Sequence, residues 1–259
     1  MGRPSVPGTQ DTAHFRYVLR LGDDNLILAQ RLAEWSSRAH DLEDDIALTN
    51  IGLDHLGQAR ALLTHAGDIE AKGRSEDDLA FHRAERNFTN LLLVERPNGD
   101  FAHTIVRQLL VSTYQISLWE ALSVSTDETL AGIAAKALKE ARYHYEYAGT
   151  WTLRLGDGTA ESSGRMEAAL ASLWRYTDEL FLTDEVDRDM IARQLGADLG
   201  AFRPTWQERI ETILHQATLH VPDDPLQRSG GRIGMHGSEF GFLLAEMQHL
   251  PRSMPEAAW

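Results

Sequence analysis

Cysteine is missing from the 259-residue chain, which excludes a disulfide framework, a thiolate zinc site, an iron–sulfur cluster and a cysteine nucleophile. A reducing cytoplasm is the expected compartment. No apolar run reaches the roughly 18 residues of a membrane helix, and the N-terminal MGRPSVPGTQ has no apolar stretch at all. Neither a membrane span nor a signal peptide is therefore expected. Positive charge is short: 25 Lys and Arg face 39 Asp and Glu, a formal net charge of −14. That balance opposes nucleic-acid and anionic-membrane partners, which need their phosphates neutralised. Proline is scarce as well, with none between Pro7 and Pro97 or between Pro97 and Pro204, leaving two long stretches free of the strongest helix breaker. Strand-like alternation, a Gly-x-Ser-x-Gly elbow, a Walker loop and a dinucleotide fingerprint are all lacking.

What is present is a 42% hydrophobic composition, enough for a sizeable core, set out at the helical period. A first helix is expected from Thr12 to Ser37 with Leu21, Leu28, Leu32 and Trp35 on one stripe, and a second over 43–66 with Ile46, Leu53, Leu56 and Leu63 together. After the turn Arg96-Pro97-Asn98-Gly99, a third carries Phe101, Ile105, Leu109, Ser112, Ile116 and Trp119. A fourth, from Asp127 to Leu155, aligns Leu130, Ala134, Ala137, Ala141, His144, Ala148 and Trp151, and such a small-residue seam implies close helix approach. A fifth helix presents Met166, Leu170, Leu173, Thr177 and Leu180. A short segment follows Thr183, another helix spans Leu199–Leu219, and a last one over 238–250 ends at Pro251. Residues 1–11 are expected to be flexible and 222–237 to form an irregular loop within a single all-α domain spanning 1–259. The glycine-rich run Arg228–Gly234 reads as a flexible or partner-contacting loop.

Helical bundles hold dinuclear metal through one Glu on each of two helices and Glu-x-x-His on each of two others, because residues three apart share a helix face. Three acid-x-x-His matches occur: Asp11–His14, Asp100–His103 and Glu246–His249. None sits mid-helix, and acids at helix starts have a simpler role with the dipole. Asp54, Glu140 and His144 belong to the long helices and carry more weight. His144 lies in the small-residue seam and reads first as a hydrogen-bonded core histidine. Asp54 would then accept hydrogen bonds or pair with a cation such as Arg142, since a lone buried carboxylate is costly.

The segments LRLGDDNLILAQRLAEW, ALTNIGLDHLGQARALL, ERNFTNLLLVERPNGDFAHTIVRQ, AAKALKEARYH and GFLLAEMQHL together resemble the structural, non-catalytic subunits of the multicomponent phenylacetyl-CoA epoxidase, the ring 1,2-phenylacetyl-CoA monooxygenase. The resemblance spans residues 17 to 250. It implies an all-α, ferritin-like helical bundle with additional C-terminal helices, standing beside a catalytic di-iron subunit of similar fold. Electrons would reach that partner from a reductase subunit, and the chain itself would carry no cofactor.

Laid on this chain, the catalytic partner's ligand pattern falls near Asn25 (beside Asp24), on Asp54 and Gly57, on Ser112, and on Ala141 and His144. Only Asp54 and His144 keep ligating side chains, as remnant positions. The resemblance also implies contact with the CoA portion of phenylacetyl-CoA through Asn87-Phe88-Thr89-Asn90 and Arg188-Asp189-Met190. There amides and hydroxyls would bond pantetheine or ribose, Phe88 would offer an apolar surface and Arg188 a phosphate partner. By itself NFTN reads as a turn or helix cap. Two other readings stand: an independent di-metal ferritin-like oxidase or metal-storage protein, and a self-associating interaction protein without catalysis.

Overall fold

Four long helices do most of the building. In the computed structural model, which describes residues 12–223 and 226–254, α1 (Thr12–Ala33) packs along α2 (Leu42–Glu70), and α4 (Phe101–Leu122) packs along α5 (Glu128–Gly156). Contacts between α2 and α5 join the two pairs. A long connection, residues 71–100, crosses from one pair to the other and contains the short α3 (Glu76–Phe81). This is an all-α, ferritin-like helical bundle, and no strand occurs among the described residues. Side chains cap the helix starts: Asp41 accepts from the Asp44 N–H, Asp100 from His103, and Asp127 from Leu130, each satisfying an otherwise orphaned donor.

The interior is one contiguous cluster, with Trp119, Tyr17, Tyr114, Phe88 and Phe240 among its largest side chains. α4 is buried on nearly every face, and α1 is enclosed from Tyr17 to Ala29. Gly22 makes the α1–α2 approach feasible, since a Cβ there would stand 2.7 Å from Leu63 Cδ2. The remaining helices are α6 (Ala160–Leu173), α7 (Glu185–Ala192), α8 (Arg203–Gln216) and α9 (Phe240–Ser253). No helix among the described residues is long and apolar enough to cross a membrane.

Several expected boundaries and faces are corrected. The fifth helix stops at Leu173; Thr177 sits at the bend between two 3-10 turns, and Leu180 lies in the second of them. There the Thr177 hydroxyl takes the Trp174 carbonyl at 2.8 Å, a bond that competes with helix continuation. Leu199–Phe202 is a 3-10 turn feeding α8, whose first turn holds Pro204. α9 continues past Pro251 to Ser253, because a proline near a helix end removes few bonds. The stripe expected inside on α2 divides: Leu63 is buried, whereas Ile46, Leu53 and Leu56 face outward with Leu42. The inward face belongs instead to Leu48, Ile51, His55, Gln58, Ala59 and Leu62. The expected flexibility of 1–11 falls on residues outside those described.

The segment 226–237 is irregular in backbone but closely packed. A Cβ on Gly231 would collide with the Asn90 carbonyl oxygen. The Gly230 and Gly231 amides donate to buried Glu179 at 2.8 Å each, and Arg232 reaches into the protein to Asp24. The reading of Arg228–Gly234 as a flexible loop is therefore corrected. Glycine serves here to let one backbone lie against another.

Candidate functional site

The middle of the bundle is where this architecture builds metal sites. Here it is lined by Asn25 of α1, His55 and Gln58 of α2, Gln108, Ser112 and Gln115 of α4, and Ala141 and His144 of α5, all buried. The second-helix pair is thus His55 and Gln58, one residue on from the expected Asp54 and Gly57. Gly57 is exposed with no atom within 4 Å of where its Cβ would be. Asp54 stands at the rim, 36% exposed, and its Oδ2 accepts from His144 Nε2 at 3.1 Å. The expected pairing with Arg142 is corrected, since that guanidinium lies 4.0 Å from Glu120.

His55 Nδ1 donates to Asn25 Oδ1 at 2.9 Å, leaving its Nε2 to accept from Gln108 at 3.5 Å. Burial, with His144 and Arg107 nearby, holds the His55 imidazole well below the usual histidine range, so it is neutral. The two imidazole centroids lie 4.8 Å apart. Glu140 lies at the edge, accepting from Gln58 Nε2 at 2.8 Å and paired with Lys136 at 3.3 Å. A dinuclear iron centre needs an oxygen-rich shell of carboxylates. The inward-facing donors are two imidazoles, amides and one hydroxyl, so the set does not fit that cofactor.

The segments expected at a CoA ester are largely internal. Phe88 is fully buried, edge-on to Phe240 at 5.8 Å and 4.0 Å from the Arg83 guanidinium, so its offer of an apolar surface to a ligand is corrected. Asn90 is buried as well and donates to Glu95 Oε2 at 2.9 Å. The Thr89 amide and hydroxyl both bond Asp23, at 2.9 and 3.1 Å. Asn87 is exposed. In α7, Met190 is buried, Arg188 reaches back to the Thr183 carbonyl at 3.1 Å, and Asp189 pairs with Arg193 at 3.2 Å. Both segments are anchored to α1, one through Asp23 and the other through Arg20, which pairs with Asp184 and Asp187.

Sequence reasoning missed the charged clamps around α1. Asp23 takes a two-pronged contact from Arg83. Asp24 accepts from Arg232 at 2.8 and 3.0 Å and from the Leu91 amide at 2.7 Å. Burial pushes the Asp24 carboxyl up, against the pull of Arg232. Glu95 collects His236 Nδ1 and the Gly237 amide, both at 2.7 Å. The available signal was the pair of acids in LRLGDDNLIL, inside an otherwise apolar helix. Of the acid-x-x-His matches, Asp100–His103 is a helix cap with a 2.9 Å contact, Glu246–His249 is exposed, and Asp11 lies outside the described residues.

The bundle, its enclosed α1 and its amide-lined centre belong to a chain whose residues 3–259 match the family model described as phenylacetic acid catabolic protein. The chain is a member of that family. It is similar to the C subunit of the Escherichia coli (strain K12) 1,2-phenylacetyl-CoA epoxidase, being 47% identical over 243 residues, which cover 94% of this chain and 98% of the relative.

Proposed function

We propose that the chain is the non-catalytic, structural subunit of a multicomponent di-iron monooxygenase that epoxidises the ring of phenylacetyl-CoA, and that it binds no iron itself. The observation that carries this reading is the bundle centre, where Asn25, His55, Gln58, Ser112 and Ala141 stand in place of a carboxylate shell. Oxygen activation then belongs to a catalytic partner, supplied with electrons by a reductase. The face offered to that partner is the outer stripe of α2. Leu42, Ile46, Leu53 and Leu56 are 42–71% exposed and, with Thr49, follow the alternating four-and-three spacing of a helix that packs on another helix. Asn87, Arg188 and Asp189 are the exposed members of the two segments through which a CoA moiety would be touched at the interface with that partner.

Co-expression with the catalytic partner, followed by separation and iron analysis of each chain, tests the assignment. The expected outcome is a stable complex with iron in the partner only. The double substitution Ile46→Asp/Leu53→Asp should abolish association while leaving the isolated chain's urea midpoint nearly unchanged, because surface changes fall within about 0.5 kcal/mol. The second reading, an independent di-metal oxidase, is favoured by the Asp54–His144 contact. About two irons per isolated chain, lost on replacing Asp54 or His144 by Ala, would establish it instead. Light scattering of the chain alone separates association with itself from association with the partner.

A further inference from the structure

One group of metal-ligating side chains lies well away from the bundle centre. His14 in the first turn of α1, His65 near the end of α2 and Asp127 at the start of α5 converge. Both imidazole Nε2 atoms point at the same carboxylate oxygen, Asp127 Oδ2, at 2.8 and 2.6 Å. The three ligand atoms lie within 4.8 Å of one another. His14 is 11 positions from Asn25 and His65 is 10 from His55, which at the 1.5 Å helical rise separates this cluster from the centre by roughly 15 Å along the bundle.

The carboxylate is held in place from behind. Its other oxygen caps α5, accepting the Leu130 amide at 3.0 Å, and the Asp127 amide donates to Ser125 Oγ, which in turn donates to the Leu195 carbonyl. Burial pushes the Asp127 carboxyl up, but hydrogen bonds from His65 and Leu130 outweigh it and keep the group below the usual carboxylate range. The side chains of His14, His65 and Asp127 are 14%, 13% and 7% exposed, so the cluster is mostly buried yet still touches solvent.

We infer that His14, His65 and Asp127 form a binding site for a single divalent transition-metal ion of the zinc class, which would tie the start of α1, the end of α2 and the start of α5 together. Two imidazole nitrogens and one carboxylate oxygen, with water in the open position, are the usual donors for such an ion. With metal–ligand distances near 2.0–2.2 Å the ligand atoms stand roughly 3.3 Å apart, so each histidine–carboxylate distance would lengthen by roughly 0.5–0.7 Å from the hydrogen-bonded arrangement. On binding, each imidazole turns its Nε2 lone pair to the ion and carries its proton on Nδ1, so a neutral pair releases no proton. The other cluster of this kind among the described residues, His40–Asp41–Asp44, has one imidazole, and its buried Asp44 already accepts from Tyr147 and Trp151.

The test uses the full-length untagged chain, stripped with chelator and titrated calorimetrically with Zn²⁺, with Co²⁺ as the spectroscopic probe. The expected result is one ion per chain and a rise in thermal midpoint of roughly 5 °C at saturating metal. His14→Gln and His65→Gln, which retain a donor for Asp127, should each weaken binding by about 100-fold, and Asp127→Asn, which keeps the cap acceptor, should also weaken it. Asp54→Asn/His144→Gln should leave it unchanged. Binding weaker than about 100 µM, or binding that survives both histidine substitutions, overturns the inference. X-ray absorption of the Co²⁺-loaded unsubstituted chain gives a readout independent of variant folding: two imidazoles in the coordination shell support the site, and one or none sinks it.

Discussion

The interior holds two polar regions built on opposite principles. Around the outer face of α1, buried charges are paired: Asp23 with Arg83, Asp24 with Arg232, and Glu95 with His236 and Arg96. In the bundle centre the groups are amides and imidazoles, with no carboxylate among the described residues facing inward. Gln58 Oε1, Gln108 Oε1, Gln115 Oε1 and His144 Nδ1 are buried there without a hydrogen-bonding partner among the described residues. A buried charge without a partner is far more costly than a buried amide without one, so charge is found where two distant segments must be locked together. The amide-lined centre tolerates incomplete pairing at roughly 1–3 kcal/mol per group. In this bundle the centre, where such architectures build metal sites, is the loosely bonded region, and the demanding electrostatics hold up a loop.

The largest expected effect comes from breaking the charged side of this contrast. Arg232→Ala leaves Asp24 buried without its cation and frees the 226–237 segment from α1, which should lower stability by about 3–5 kcal/mol in urea denaturation. A loss under about 1 kcal/mol would show that the clamp is incidental. The amide-lined side should respond far less. Replacing Asn25 and His55 together by Leu removes both ends of one hydrogen bond, and such paired apolar replacement is close to neutral, within about 1–2 kcal/mol. A collapse of stability would place the centre in the same class as the clamps.

The smallest effects are in pH dependence, and the two regions should show opposite signs. His236 donates from both ring nitrogens, to Glu95 and to the Phe88 carbonyl, so it is a cation. Burial alone would lower its pKa, but the Glu95 hydrogen bond and charge raise it. Its stabilisation is complete below the free-histidine value of 6.5 and declines as pH climbs through the raised folded value. His55 is depressed by burial, so its neutral form is accommodated above 6.5 and stability declines as pH falls below that value. Urea midpoints measured against pH should lose their alkaline slope in His236→Gln and their acid slope in His55→Leu. Slopes unchanged by either substitution would erase the distinction.

Much of the helical framework was legible from spacing, because a core seam such as Leu130–Ala134–Ala137–Ala141–His144–Ala148 records its own period. The second helix shows why the same reasoning failed elsewhere. Its Ile46, Leu53 and Leu56 share a face as clearly as any core stripe, yet periodicity reports that apolar residues are aligned and not which side covers them. The one-residue shift from Asp54 and Gly57 to His55 and Gln58 has the same origin, since the inward direction depends on how α2 is rotated against α1 and α5. Phe88 and Asn90 look like polar-loop chemistry in the string NFTN, and only the chain crossing over them explains their burial.

Composition and period were sufficient for a helical chain without thiol chemistry, because such exclusions and repeats are local properties. Tertiary structure alone decided which partners met: Asp24 with Arg232, 208 positions apart, His236 with Glu95, 141 apart, and His14 with Asp127, 113 apart. Contacts at that separation leave no spacing signature in the chain, so the clamps around α1 and the His14–His65–Asp127 cluster became visible only once the helices were packed.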